Sequence, residues 1–251
     1  MVEITLIYYL LFFLITVLQT VVGVGVLVLG TPLLLIFEYS IVEAISILLP
    51  ISILTSLINI LFFKIIHKKK KIKLDKNIKI AFFILCLPAV FVGIYILKIF
   101  QELINFQILV SIIIILTLII KLYYRNTILN FSNLIKKIVL FSIGLIHGVT
   151  NSGGTLLSIF ILSLNKNMIK QTRYSLAFFY FFLALFQYVV FISIFQKIIP
   201  FNLIIELMVL VISGVLFGNF IVKYINEKIF QHLIELLALL SALFLIISNI
   251  L

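Results

Sequence analysis

The chain has 251 residues, 65% of them hydrophobic and only 11% charged, with a formal net charge of +11 and a mean hydropathy of +1.39. A soluble domain of this size is roughly 45–50% apolar and ~25% charged, so a soluble enzyme, a disordered chain and a secreted disulfide scaffold are excluded. One bilayer crossing takes roughly 20 apolar residues, and the chain therefore reads as an all-α integral membrane protein, a single transmembrane domain over residues 1–251.

Polar punctuation predicts eight apolar segments. In chain order they are Ile4–Phe37, Ile41–Phe63, Ile78–Leu97, Leu103–Ile120, Ile138–Leu164, Tyr174–Phe195, Phe201–Val222 and Leu233–Leu251. Most fit one crossing. The first is too long for one upright helix, and the first and fifth are interrupted by glycine-rich stretches, Val22–Gly25 and Gly148–Gly154. Broken or re-entrant helices are expected there, because irregular backbone at membrane depth must be buried in protein or line a cavity. Met1-Val2-Glu3 lacks the basic region of a cleaved signal, so the first segment is expected to be retained. No polar stretch is long enough to form an added soluble domain.

Several residues recur at one offset of 125 positions. Gly23 pairs with Gly148, Gly93 with Gly218, Lys98 with Lys223, Glu102 with Glu227 and Asn77 with Asn202. Polar and glycine matches carry weight in a chain so rich in Ile and Leu. They predict two homologous four-segment repeats, about 1–126 and 127–251. Charge tests their relative orientation, because cytoplasmic loops concentrate Lys and Arg. If segments one and five are re-entrant, 17 of the 19 basic residues face one side and two, Lys98 and Lys197, face the other. Eight straight crossings give a weaker bias, so inverted repeats are expected, with the Lys64–Lys79 and Lys166–Arg173 loops in the cytoplasm.

The fifth segment holds the richest chemistry: His147, Gly148, Thr150, Asn151, Ser152, Gly153, Gly154 and Thr155. Glycines allow backbone N–H groups to approach a ligand, and a half-helix starting at Ser152–Thr155 would aim its positive end at it. Its first-half counterpart offers Gln19, Thr20, Gly23, Gly25, Thr31 and Pro32. Together the two breaks predict an anion site built mostly of neutral donors. The alternative use of such glycines is close helix crossing. Arg173 reads equally as a residue at the rim of this site or as a charge of the cytoplasmic loop, and His147, Gln19 and Glu206 are further rim or coupling candidates. Glu43 and Glu235 lie nearer segment ends. Asn59 and Gln187, both mid-segment, are expected to bond between helices, and Cys86 is expected to be a small core residue.

The motifs resemble the sulfite exporter TauE/SafE family of membrane permeases. Gly23-Val-Gly25-Val-Leu-Val-Leu-Gly30-Thr31-Pro32 is similar to one copy of the family's glycine-rich motif, and Gly148-Val-Thr-Asn-Ser152-Gly153-Gly154-Thr155 to the other. The resemblance continues through Lys170-Gln-Thr-Arg173, through Pro88 with Gly93, and through Gly218. It implies export or uptake of small sulfur-containing anions such as sulfite or organosulfonates, or of related organic anions. A cell-membrane (cell inner membrane) transporter with no cofactor follows, acting on a small anion and held against anionic lipid through its loop lysines, with no nucleic-acid partner and homo-oligomer formation left open. Two alternatives fit the residues less well. A cation or metal transporter or channel needs carboxylate clusters, which eight scattered acids do not supply. An intramembrane enzyme using His147 and Ser152 lacks an adjoining carboxylate, since the one aspartate is Asp75. No Walker A motif is present, and the lone cysteine offers neither a disulfide nor a zinc cluster.

Overall fold

A computed structural model describes residues 6–23, 26–66, 75–123, 132–164, 169–197 and 201–224, together with isolated helical positions between 236 and 247. Every regular element among them is helical. The order is α1 (Leu6–Val22), α2 (Val26–Ile36), α3 (Ile41–Ile66), α4 (Lys76–Ala81), a π turn (Phe82–Cys86), α5 (Leu87–Phe100), α6 (Phe106–Tyr123), α7 (Asn133–Thr150), α8 (Gly154–Leu164), α9 (Ile169–Phe195) and α10 (Phe201–Ile221). Five helical runs among the described residues are long and apolar enough to cross a bilayer: Ile41–Ile65, Lys76–Phe100, Asn133–Thr150, Gln171–Phe195 and Leu203–Ile221. The outer surface is correspondingly apolar, with Leu6, Ile84, Val209 and Leu103 each more than three-fifths exposed.

The first and fifth apolar segments each divide into two helices. Helix α1 stops at Val22 because Gly23 turns to φ +76°, and α7 stops at Thr150 because Asn151 caps it at φ 60°. Glycine enters this left-handed region freely and asparagine tolerates it better than most residues. The second interruption thus falls at Asn151–Gly153, while Gly148 is an interior residue of α7. Between α4 and α5 the π turn precedes Pro88, whose ring and missing N–H disfavour an ordinary α turn there.

Contacts at the helix ends sort them onto two faces. On a lysine-poor face, Tyr8 at the start of α1 packs edge-on against Phe37 and Tyr39, just beyond α2. Gln107 of α6 donates to the Leu35 carbonyl at 2.9 Å, Lys98 of α5 donates to that of Ile194 in α9 at 3.3 Å, and Lys197 acts electrostatically on Glu43. On the opposite, lysine-rich face, Phe63 of α3 packs against Tyr174 of α9, and the Lys79 ammonium lies 5.1 Å from the Phe178 ring centre.

Two glycine crossings hold the bundle. A Cβ on Gly93 would lie 2.4 Å from the Leu145 carbonyl oxygen, and one on Gly148 would lie 2.4 Å from that of Val90. Helices α5 and α7 therefore touch backbone to backbone. A Cβ on Gly218 would lie 2.8 Å from the Thr20 side chain and 3.1 Å from the Val17 carbonyl oxygen, so α10 also comes close against α1. In an apolar solvent no hydrophobic force separates helix from lipid, so close packing at small residues is what joins them.

Candidate functional site

Both interruptions carry their own polar ties. At the first, the Gly23 N–H donates to the Gln19 carbonyl at 2.8 Å. The Gln19 side-chain oxygen accepts from the Val26 N–H at 2.5 Å, and its nitrogen donates to Ser56 Oγ at 3.1 Å. Gln19 thereby caps the start of α2, satisfying one of the donors a helix start leaves free. Asn59 Nδ2 donates to Thr20 Oγ1 at 3.3 Å. At the second, the Asn151 N–H donates to the His147 carbonyl at 2.8 Å, and Ser152 Oγ donates to the Thr150 carbonyl at 3.2 Å. Thr155 Oγ1 donates to the Ser152 carbonyl at 2.9 Å, and the Tyr180 hydroxyl donates to the Gly154 carbonyl at 2.5 Å.

The two interruptions meet. Asn151 Nδ2 donates to Thr31 Oγ1 across 2.9 Å, and both residues are fully buried. Helix α9 runs past both breaks. Its Leu176 fills the space where a Gly23 side chain would stand, and its Tyr180 lies against Gly154. Arg173, one turn before Leu176, donates from Nη2 to the Thr20 carbonyl at 2.6 Å while its guanidinium lies 5.2 Å from the Phe63 ring centre. A narrow cleft opens here, with room for about one water molecule. Gln19, Thr20, Gly23, Asn59, Arg173 and Tyr180 supply its polar wall, with Phe63 and Ala177. Among the described residues, that wall has one cation, several neutral donors and no carboxylate.

The residues expected from sequence divide into groups. Gly23, Thr31, Asn151, Ser152, Gly154 and Thr155 gather where the breaks meet, with Gln19, Thr150 and His147 on the adjoining turns. Pro32 is buried one residue beyond Thr31 in α2. Gly25 lies outside the described residues. Gly148 faces α5, and a Cβ on Gly153 would meet the Ile143 carbonyl and the His147 backbone at 2.6–2.8 Å, so both glycines serve close packing. Glu206 stands apart from all of these. It is exposed, in the second turn of α10, and accepts a hydrogen bond from the Tyr9 hydroxyl.

Sequence reasoning missed Tyr180 and Phe63 in the cleft wall, because aromatic residues in an apolar run carry no distinguishing mark. Asn59 and Gln187 did carry one. They are amides 128 positions apart, mid-helix in α3 and α9. Each turns its amide nitrogen to a break: Asn59 to Thr20, and Gln187 to the His147 carbonyl at 3.3 Å.

Long apolar helices, paired interruptions joined by buried hydrogen bonds and an arginine drawn among them define a multi-pass helical membrane protein. The model of the sulfite exporter TauE/SafE family matches residues 8–245, nearly the whole chain, and the chain belongs to that family of membrane transporters. No curated protein and no solved structure matches it.

Proposed function

We propose that the chain is a secondary transporter of a small anion, sulfite, an organosulfonate or a related sulfur-containing or organic anion, in the cell membrane. The observation that carries this reading is Arg173. It reaches a cleft of neutral donors between two broken helices, and no acid lines that cleft among the described residues. An ionisable residue inside a membrane bundle is costly and marks a substrate path. The half-helices α2 and α8 start at the same junction and add the positive ends of their dipoles.

The transport path in this reading runs through two inverted repeats. Three features support it. Helices α2 and α8 both have 11 residues, and they start at Val26 and Gly154, 128 positions apart. Ile41 and Ile169, which open α3 and α9, keep that spacing, as do the left-handed Gly23 and Asn151. The glycine crossings also correspond: Gly93 packs on Leu145 and Gly148, and Gly218 on Val17 and Thr20. Residues 17 and 145, and 20 and 148, are again 128 apart. The start of α4 and the start of α10 are 125 apart, so the two halves differ by three residues in the α3–α4 and α9–α10 stretches.

Re-entry is supported by Tyr8, which touches the residues just after α2, so α1 and α2 leave from and return to the lysine-poor face. Helix α7 runs alongside α5, away from the lysine-rich face, and α9 starts at that face only a few residues after α8. The second hairpin therefore enters from the opposite side. The lysine-rich face is the cytoplasmic one by charge.

Counterflow in proteoliposomes with sulfite, thiosulfate, sulfoacetate and lactate tests the reading. At least one of the sulfur anions should exchange. Arg173→Gln removes a charged hydrogen-bond donor, typically ~1.5–3 kcal/mol, so the affinity should fall about tenfold to more than a hundredfold. Unchanged affinity in that variant would place the anion elsewhere.

A further inference from the structure

His147 lies in the last turn of α7, fully buried, and neither ring nitrogen has a hydrogen-bond partner among the described residues. Two amide oxygens are in the same position, one on Gln187 and one on Asn151, the residue that caps the same last turn of α7. Gln187 Oε1 and Asn151 Oδ1 are buried and accept nothing, although the nitrogen of each amide is used, by the His147 carbonyl and by Thr31. The Gln187 side chain lies beside the imidazole. Buried polar atoms are nearly always paired, so three orphans around one turn call for a missing group. What is missing is donor protons. A neutral imidazole has one N–H, whereas a protonated one has two and no acceptor.

We propose that His147 is the proton-coupling group of the transporter, taking one proton from water when the anion binds and returning it to water on the other side. This rests on the anion-site reading above. The added proton forms an N–H bond on the imidazole, and the two N–H groups then have Gln187 Oε1 and Asn151 Oδ1 as acceptors. The charge so created sits at the carbonyl end of α7, where a cation is favoured. Its counter-charge has to come from the substrate. Among the described residues, the elements packed against α7 are α4, the π turn, α5, α6 and α8, with α9 reaching it through Gln187, and none of these contains an aspartate or glutamate.

The cations on those elements are engaged or stand at helix ends. Lys76 opens α4, Lys79 lies over the Phe178 ring, Lys98 donates to the Ile194 carbonyl, Arg173 holds the Thr20 carbonyl, Lys121 and Lys170 stand in the end turns of α6 and α9, and Lys136 and Lys137 stand near the far end of α7. The remaining titratable groups near the turn are Cys86 behind Gly144, Tyr180 on Gly154 and Tyr188 beside Gln187. None of these side-chain types titrates near neutrality when unperturbed, whereas histidine does. A buried imidazolium without a carboxylate is stable only with an anion nearby. Anion and proton therefore bind as a pair, and each must raise the affinity for the other.

The first half shows what the same place looks like without a titratable group. Gln19 precedes His147 by 128 positions, and its amide is fully engaged by Val26 and Ser56. Glutamine is therefore the apt replacement.

Thiosulfate serves as the probe because its charge is constant between pH 5 and 8. Binding to the purified full-length protein is measured by calorimetry at pH 5.5, 6.5 and 7.5, in two buffers of different ionisation enthalpy. The wild type should take up about one proton per anion, and its Kd should fall up to tenfold for each unit of pH lowered. His147→Gln should bind more weakly at pH 5.5, with no proton uptake and a flat Kd. Gln187→Leu, which removes one acceptor, should shift the pH dependence to lower pH while keeping its slope. Thiosulfate binding by the wild type with no proton uptake, or proton uptake persisting in His147→Gln, overturns the proton assignment and leaves the anion site standing. Failure of the wild type to bind thiosulfate at any of these pH values overturns the anion site, and the proton assignment with it. Buried water bridging the three orphan groups in a purely structural role would give a pH-independent Kd, which the wild-type titration alone detects.

Discussion

Asn151 ties a backbone conformation to a contact between the two broken helices, and the two contributions can be separated. Its φ of 60° ends α7, and its Nδ2 donates to Thr31 Oγ1 at 2.9 Å. An ordinary L-residue in the left-handed region is disfavoured by roughly 1–2 kcal/mol. Hydrogen bonds between membrane helices are worth ~0.6 kcal/mol on average and up to ~1.7. With both partners fully buried, about 1 kcal/mol is reasonable here. Asn151→Ala loses both terms and should cost about 2 kcal/mol, whereas Asn151→Gly keeps the conformation and should cost about 1. Thr31→Val should also cost about 1 kcal/mol, and combining it with Asn151→Gly should add little, leaving a coupling near 1 kcal/mol. Reversible unfolding in mixed micelles measures all four. Equal losses for Ala and Gly would show that the left-handed turn is not what Asn151 supplies. A coupling near zero would sink the claim that this bond joins the two breaks.

Two further tests concern topology and packing. Cysteines placed at Lys76 and Lys223 should resist an impermeant maleimide added to intact cells, while cysteines at Glu102 and Lys197 should react. Reaction at 223 together with 197 would refute the inverted arrangement. Gly93→Ala sets a Cβ 2.4 Å from the Leu145 carbonyl oxygen, so α5 and α7 must separate, at a cost of at least ~1–3 kcal/mol in unfolding assays. Gly30→Ala meets only the methyl ends of Leu48, which can turn aside, and should cost less. The reverse order would mean that the α5–α7 crossing is not a backbone contact.

The membrane class and the two interrupted segments were legible in the sequence, while most of the last apolar segment, Leu233–Leu251, lies outside the described residues. Partition into a bilayer is close to a sum over residues, and composition reads it directly. Glycine and proline interrupt helices through their own backbones, so the breaks at Gly23 and after Gly148 also show locally. The family motifs add the class of transporter. The fine position of the second break was not legible, because it depends on Asn151 adopting a left-handed turn that its bond to Thr31 helps to hold.

The division of labour among the glycines was decided by tertiary structure alone. Gly148 and Gly153 sit in the same motif as Gly154, yet the first two face backbone of α5 and α7, while Gly154 faces Tyr180. Sequence places a glycine on the chain but does not say which neighbour takes the space it leaves. Arg173 reads equally well as a loop charge or as a site residue, and only the packing of α9 against α3 and α1 brings it to the Thr20 carbonyl. The two amides Asn59 and Gln187 were visible as polar residues mid-helix. That their nitrogens go to opposite breaks depends on contacts across 39 and 40 positions of chain, and no local pattern encodes such contacts.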